Sequence, residues 1–224
     1  MSIYALIPAA GRGERFGSLK QYVPIGGRPM LWHAVRAVCM PPVESVFVVL
    51  ARADREFARH EWNGLGAKVE PLYCGGETRR DSVYNALVAA MGLVDVDDWM
   101  LVHDAARPCL PRSDLEKLVR EVGDDGVGGI LALPIAETVK RVADGKVHAT
   151  EDRAQLWLAQ TPQMFRAGLL VQALERARSA PTDEASAVEQ MGLKPRVIAG
   201  SRENLKVTWR EDLAIAESIL ERRR

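Results

Sequence analysis

The stretch LIPAAGRGERFGSLKQY, from Leu6 to Tyr22, is the most informative part of the sequence, because an apolar run leads straight into a glycine-rich, cationic loop. Glycines let backbone N–H groups approach phosphate oxygens, and arginine and lysine supply the opposite charge. The pattern favours a phosphate cradle at the carboxyl end of a first strand, and a solvated loop with incidental cations is the alternative. The residues that carry the pattern are Gly11, Gly13, Gly17, Arg12, Arg15 and Lys20.

Two well-known glycine motifs do not fit this loop. A P-loop needs a Gly-Lys pair, and the loop contains none. A dinucleotide fingerprint needs GxGxxG running directly into a helix, but here the third glycine is one residue out of step. The next helix pattern starts only near Pro29, so the loop is too long for a Rossmann turn. A phosphate cradle of another kind remains.

Apolar runs alternate with segments of helical period along most of the chain, which predicts an α/β fold with a mostly parallel sheet. Strands are expected at IYALIP, SVFVVLA, AKVEPLY, WMLV, GVGGILALP and PRVIAG. Helices are expected at PMLWHAVRAVCM, DSVYNALVAAM, RSDLEKLVREV, AGLLVQALERARSA, DEASAVEQMG and REDLAIAESILERR. Asp81 or Ser82 could cap the helix of DSVYNALVAAM. We predict one domain over residues 1–224.

One segment, residues 137–160, lacks a helical period and predicts a protruding β-arm. Its sequence TVKRVADGKVHATEDR reads as two strands around Asp144-Gly145, a dipeptide typical of hairpin turns. An isolated hairpin is only marginally stable in water, so this one needs a surface to pack on. We therefore predict a homodimer formed through the arm.

Bulk composition excludes several classes of partner. The 30 basic and 30 acidic residues give a formal net charge of zero, which argues against binding nucleic acid or an anionic membrane. No apolar run approaches the roughly 20 residues of a membrane span, and no signal peptide is evident. The three scattered cysteines fit neither a disulfide framework nor a zinc site. A cytoplasmic protein is expected.

Two further strand ends carry polar residues that could bind a substrate. VHDAARP places Asp104 and Arg107 after a buried strand, where a carboxylate suits Mg²⁺ held partly through substrate phosphates. A structural Asp104–Arg107 pair is the alternative. YCGGETRRDS offers a second anion or base-edge site before a helix, unless it is an ordinary loop. Its candidates are Gly75, Gly76, Arg79, Arg80 and Ser82.

Seven motifs occur in order from about Ile3 to the last helix: PAAGRGERF with LKQY, GGETRRDSV, VHDAARP, ETVKR, TPQMF, TDEASA and NLKVT. Together they resemble the 2-C-methyl-D-erythritol 4-phosphate cytidylyltransferase family of the non-mevalonate isoprenoid pathway. PAAGxGxR alone indicates only the wider nucleotidyltransferase group, whereas VHDAARP with TDEASA is far more specific. One departure is Leu19, which stands where the family often has proline.

The resemblance implies a Rossmann-like nucleotidyltransferase domain with a β-arm that clasps a partner subunit. It implies transfer of the cytidylyl group of CTP to 2-C-methyl-D-erythritol 4-phosphate, with release of pyrophosphate and with Mg²⁺ as cofactor. A ribitol-5-phosphate or other polyol-phosphate cytidylyltransferase is the alternative enzyme. A non-catalytic nucleotide-binding module is a more remote alternative, and a dinucleotide-dependent oxidoreductase is disfavoured by the glycine register.

The resemblance also assigns roles to residues. The implied catalytic cations are Arg15, Lys20 and Lys206. The implied CTP contacts are Pro8, Ala9, Ala10, Gly11, Gly13, Gly76, Glu77, Ser82, Asp104 and Ala105, with Asp104 also a metal ligand. The implied acceptor contacts are Arg107, Thr138, Arg153, Thr161 and Thr182, and Arg153 would reach the site of the neighbouring subunit.

Overall fold

The computed structural model of the protein describes residues 1–11, 13, 16 and 19–223. Its strands are β1 Ile3–Pro8, β2 Pro24–Ile25, β3 Arg28–Pro29, β4 Val43–Val49, β5 Lys68–Leu72, β6 Trp99–Val102, β7 Gly128–Pro134, β8 Val139–Ala143, β9 Lys146–Glu151, β10 Trp157–Arg166 and β11 Arg196–Ala199. Its α-helices are α1 Met30–Val38, α2 Arg79–Ala90, α3 Arg112–Val122, α4 Ala167–Arg176, α5 Glu184–Glu189 and α6 Asp212–Glu221.

The central sheet has seven strands in the order β11-β7-β10-β6-β1-β4-β5. Strand β10 runs antiparallel to its neighbours β6 and β7, and the other pairings are parallel. The predicted α/β fold with a mostly parallel sheet is therefore confirmed. Because the chain continues from β1 to β4 on one side and returns to β6 on the other, a crevice opens at the carboxyl ends of β1, β4 and β6.

Helices cover both faces of this sheet, which explains why its central strands are apolar on both sides. The apolar stripes of α1 and α3 pack on one face together with alternate residues of β1 and β4. Helices α2, α4 and α5 cover the other face. A smaller cluster joins α6 to β2 and the start of α1, and it includes the buried Phe16 and Val207. This cluster brings the C-terminal segment against the glycine-rich loop.

The predicted hairpin is present as β8 and β9, which form a two-stranded sheet of their own. Asp144 and Gly145 have φ of 51° and 73°, which is the left-handed backbone that a tight hairpin turn requires. Strand β10, at the end of the predicted arm, returns to the central sheet, where Trp157 pairs with Pro134 of β7. Dimerisation through the arm stays a prediction.

The start of α2 differs from the sequence expectation. The helix begins at Arg79, and Thr78 is its N-cap in a capping box with Asp81. The prediction that Asp81 or Ser82 would cap this helix was wrong, because the Thr78 hydroxyl accepts from the Asp81 N–H while the Asp81 carboxylate accepts from Thr78. Among the described residues, no helix has the length and apolar character needed to cross a bilayer.

Candidate active site

A cavity of about 1120 Å³ opens at the carboxyl ends of β1, β4 and β6. Its walls come from the loop after β1, the segment before α2, the residues that follow β6 and the stretch before α6. Lys20 and Lys206 line it, together with every residue to which the resemblance assigns a CTP contact: Pro8, Ala9, Ala10, Gly11, Gly13, Gly76, Glu77, Ser82, Asp104 and Ala105.

Hydrogen bonds fix the far end of the glycine-rich loop beside the C-terminal segment. The Gln21 side chain donates to the Ala9 carbonyl at 2.9 Å, which ties the end of the loop back to its beginning. Lys20 Nζ donates to the Val207 carbonyl at 2.5 Å. The Val207 N–H in turn donates to the Ala106 carbonyl at 2.8 Å. These bonds bring Lys20 close to the segment that carries Lys206.

The two glycines before α2 are required by close backbone packing. A Cβ at Gly75 would lie 2.4 Å from the Ala10 Cβ, and one at Gly76 would lie 2.5 Å from the Asp81 Cβ. The Gly76 N–H donates to the Ser82 hydroxyl at 3.1 Å, and that hydroxyl donates to the Thr78 carbonyl. A side chain at position 75 would therefore push this wall away from the loop after β1, and one at position 76 would push it away from the start of α2.

Asp104 lies in a cluster of charged side chains with Arg79, Lys206 and Glu184. Arg79 bonds to Asp104 Oδ1 through Nε at 3.1 Å, and Lys206 Nζ lies 2.7 Å from Asp104 Oδ2. The same arginine holds both oxygens of Glu184, at 2.6 and 3.0 Å. Burial alone would raise the pKa of the Asp104 carboxyl, but the charges of Arg79 and Lys206 outweigh it and hold that pKa well below its usual range.

A buried histidine and a buried threonine support the backbone of Asp104. Burial lowers the pKa of His103 to about 4, so its ring is neutral at neutral pH. The neutral ring donates from Nε2 to the Arg107 carbonyl at 3.0 Å and accepts from the Thr161 hydroxyl at Nδ1, 3.1 Å away. The Thr161 oxygen accepts the Asp104 N–H at 2.9 Å. His103 therefore positions neighbouring groups and does not face the cavity.

A second, smaller cavity of about 180 Å³ adjoins the first. Arg107 lines it and is buried, with its terminal nitrogens on the carbonyls of Asn204 and Ala159. Burial lowers the pKa of the Arg107 guanidinium, and its Nε has no hydrogen-bond partner among the described residues. Because the hydrogen bonds of its side chain go to carbonyls, the alternative of a structural Asp104–Arg107 pair does not describe this site. The smaller cavity therefore offers positive charge to an anion.

The acceptor contacts implied by the resemblance are only partly brought together. Arg107, Thr161 and Thr182 line the smaller cavity, whereas Thr138 and Arg153 are exposed and line neither cavity of this chain. Arg15 lies outside the described residues.

Sequence reasoning missed the pairing of Arg79 with Glu184. Arg79 and Arg80 were both candidates for an anion site, but Arg80 instead donates to the Leu174 carbonyl and Asp81. Glu184 is almost fully buried, at 1% exposure, and its carboxylate holds Arg79. The acidic residue within TDEASA was the available signal, since a buried glutamate needs a cationic partner.

The residues present fit a divalent cation only in part. Asp104 is a suitable oxygen ligand, but both of its carboxylate oxygens hold cationic side chains. Among residues 1–11, 13, 16 and 19–223, no group of three or more histidine, cysteine, aspartate or glutamate side chains is placed to hold a metal. A metal here would draw most of its ligands from substrate phosphates, as Mg²⁺ commonly does.

An open α/β sheet with a glycine-rich loop, two lysines and a buried carboxylate at the carboxyl ends of its strands has the features of a nucleotide-handling α/β protein.

Comparison with known proteins identifies the family within this class of nucleotide-handling proteins. The family model described as 2-C-methyl-D-erythritol 4-phosphate cytidylyltransferase matches residues 3–222. The chain is 52% identical to proteins of that name from Azoarcus sp. (strain BH72), covering 98% of this chain and 94% of the relative, and from Dechloromonas aromatica (strain RCB), covering 99% and 98%. The chain belongs to this family, and the resemblance inferred from its motifs is confirmed.

Solved structures agree with this assignment. A crystal structure of a 4-diphosphocytidyl-2C-methyl-D-erythritol synthase is 40% identical, with a TM-score of 0.87 and coverage of 98% of both chains. The 2-C-methyl-D-erythritol 4-phosphate cytidylyltransferase of Thermus thermophilus is 28% identical, with a TM-score of 0.79 and coverage of 99% of this chain and 100% of that one.

Proposed function

We propose that this chain transfers the cytidylyl group of CTP to 2-C-methyl-D-erythritol 4-phosphate, giving 4-diphosphocytidyl-2-C-methyl-D-erythritol and pyrophosphate. The observation that carries the proposal is the junction of the two cavities. Arg79, Asp104 and Lys206 line both of them, so two anionic substrates bound in the two cavities would meet at these side chains. Family membership supplies the identity of the two substrates.

The chemistry requires charge stabilisation more than proton transfer. An oxygen of the acceptor phosphate attacks the α-phosphorus of CTP, the bond to the β-phosphate oxygen breaks, and pyrophosphate leaves in line. The nucleophile is already an anion, so no general base is needed. The difficulty is that two anions must meet and negative charge builds on the non-bridging oxygens, which preorganised cations stabilise.

Four cations have a role in this scheme. Lys20 and Lys206 line the larger cavity and would stabilise the α-phosphate and the leaving pyrophosphate. Arg15 is proposed for the same charge but lies outside the described residues. Arg107, Thr161 and Thr182 would bind the acceptor in the smaller cavity.

We also propose Mg²⁺ as the cofactor, bound largely through the CTP phosphates with Asp104 as its protein ligand. When bound, it neutralises phosphate charge and orients the leaving group. Asp104 has a free face only when Lys206 turns away, because both carboxylate oxygens otherwise carry cationic partners.

The proposal includes a homodimer formed through the arm of β8 and β9, in a cytoplasmic protein. Thr138 and Arg153 are exposed and flank the two strands at the base of the arm, which is consistent with Arg153 completing the acceptor site of a neighbouring subunit.

The direct test is pyrophosphate release by the purified chain with Mg²⁺, CTP and 2-C-methyl-D-erythritol 4-phosphate. We expect turnover with CTP and little with ATP, GTP or UTP. Ribitol 5-phosphate in place of the acceptor tests the alternative polyol-phosphate activity. Turnover with ribitol 5-phosphate and none with 2-C-methyl-D-erythritol 4-phosphate would contradict the proposal, and saturable CTP binding without turnover of either would favour a nucleotide-binding module.

A further inference from the structure

The charged cluster around Asp104 contains two cations that differ in how firmly they are held. Within the described part of the chain, Lys206 makes one ion pair, to Asp104, and its side chain is 47% exposed. Arg79 bonds to two carboxylates at once, and its partner Glu184 is 1% exposed. The lysine can therefore change partners at small cost, whereas the arginine is held by charge-assisted bonds along two edges of its guanidinium group.

Binding of a phosphate would compete for Lys206 in particular. Its ammonium lies at the boundary of the two cavities, where the phosphates of both substrates are proposed to meet. Arg79 lines the same boundary, but its Nε and both terminal nitrogens already point to carboxylate oxygens. A phosphate that approaches this wall would draw the lysine first.

When Lys206 leaves, Asp104 loses one of its two cationic partners, although its side chain is only 10% exposed. A buried carboxylate that loses its compensating charge is strongly destabilised. Arg79 limits this destabilisation, because it stays bonded to Asp104 Oδ1 while Lys206 leaves Oδ2. Glu184 contributes by fixing the guanidinium, so that Arg79 does not itself turn toward the phosphate.

We propose that Arg79 and Glu184 are positioning residues that hold Asp104 in place while Lys206 moves from Asp104 to the phosphates of the reacting substrates. The proposal rests on the cytidylyl transfer proposed above. It adds a way to keep the Asp104 carboxylate charge-compensated while Lys206 binds the phosphates. Neither residue touches the reacting atoms; both act through Asp104 and Lys206.

The first test is kinetic and uses Glu184→Gln, which keeps the size of the side chain and removes its charge. We expect kcat to fall about ten- to one-hundred-fold, with the KM for CTP changed less than about threefold, because the loss is one of alignment. Arg79→Lys should behave in the same way, since a single ammonium cannot reach two carboxylates as the planar fork does.

The matched control is Arg80→Gln. Arg80 is the next residue of α2, with a side chain 31% exposed against 30% for Arg79, but it bonds to Asp81 and the Leu174 carbonyl. We expect it to change kcat less than about twofold, because its bonds lie outside the Asp104 cluster. Circular dichroism and thermal unfolding of each variant separate a loss of alignment from a loss of folded protein.

A double-mutant cycle excludes a merely structural role. If Glu184 acts through Lys206, then Glu184→Gln should have little further effect on kcat in a Lys206→Ala background. Additive losses in the cycle, or a Glu184→Gln enzyme with wild-type kcat, would overturn the proposal.

A crystal structure with CTP and Mg²⁺ provides a test that does not depend on turnover. We expect Lys206 Nζ within hydrogen-bond distance of a phosphate oxygen and Arg79 still bonded to Asp104 and Glu184. Lys206 remaining on Asp104, or Arg79 leaving Glu184 for a phosphate, would refute the positioning role. Absence of turnover in the wild-type enzyme would refute the proposed function instead, and the structure would still decide the movement of Lys206.

Discussion

At the scale of single residues, the site depends on polar side chains buried behind its walls. Thr161 is such a residue, since its hydroxyl oxygen accepts the Asp104 N–H and its proton goes to His103. Its role in the structure therefore goes beyond the acceptor contact that the family resemblance implies. Removing the hydroxyl would leave two buried groups without partners.

Thr161→Val tests this role. We expect the free energy of unfolding to fall by about 1–3 kcal/mol, the usual effect of leaving buried polar groups unsatisfied. Thr161→Ser is the control, because it keeps the hydroxyl and should lose less. Urea denaturation at a fixed protein concentration measures both, and equal stability of the valine and wild-type proteins would show that Thr161 does not hold this network together.

Lys206 carries the clearest catalytic prediction. Lys206→Ala should lower kcat about 100- to 1,000-fold, by analogy with removal of one oxyanion-stabilising donor. Lys206→Arg should recover part of the loss because the charge is kept. Lys194→Ala changes an exposed lysine outside both cavities and serves as the control. The measurement is steady-state pyrophosphate release, and wild-type activity of Lys206→Ala would remove this residue from the mechanism.

At the scale of elements, the sequence predicts most of the fold because period and turn chemistry are local properties. The buried strand at Val43–Val49, the helix after Pro29 and the turn at Asp144-Gly145 all form where the pattern indicates. The pairing order of the strands is not local, so the antiparallel entry of β10 between β6 and β7 was not predicted.

The candidate site shows the same division between local and distant information. Glycines and cations near one another in the chain identified the larger cavity, as the positions of Gly76 and Lys20 show. The ion pair of Arg79 with Glu184 joins residues 105 positions apart, and no local pattern indicates it. The start of α2 was misplaced because a capping box requires Thr78 and Asp81 to be considered together.

The cap of α2 is testable because it fixes the helix that presents Arg79. Thr78→Ala should lower the free energy of unfolding by about 1 kcal/mol, the typical effect of losing such a cap. Thr78→Ser keeps the hydroxyl and should stay close to wild type. Thermal or urea unfolding gives the comparison, and an unchanged stability of Thr78→Ala would mean that the capping box contributes nothing in solution.

At the scale of the whole molecule, the arm of β8 and β9 exposes an apolar surface that a partner subunit would cover. Val142 and Val147 lie opposite each other in the hairpin, and they are 58% and 64% exposed. Trp157 and Leu158, where β10 leaves the arm, are also exposed. An apolar surface of this kind on a two-stranded hairpin is stable when another surface covers it.

The exposed apolar residues of the arm therefore predict a dimer. One charged side chain introduced into this contact should weaken it. Sedimentation of the wild type should give about twice the 24.7 kDa mass of the chain. Val147→Glu should shift the equilibrium toward the monomer, because a carboxylate would be buried in the apolar contact. Ile215→Glu, at an exposed position of α6, is the control. A wild-type monomer at assay concentrations would exclude the arm-mediated dimer and the role of Arg153 in a neighbouring site.

The proposed function requires that the two adjoining cavities bind CTP and one particular sugar-alcohol phosphate, and that the cytidylyl group passes from the first to the second. The most direct measurement is kcat/KM for 2-C-methyl-D-erythritol 4-phosphate and for ribitol 5-phosphate at saturating CTP and Mg²⁺. The Lys206→Ala enzyme, assayed in the same way, serves as the low-activity control. We predict that the first acceptor is preferred by about 100-fold or more, which is the discrimination that a few hydroxyl and methyl contacts can supply. Equal values for the two acceptors, or a preference for ribitol 5-phosphate, would contradict it.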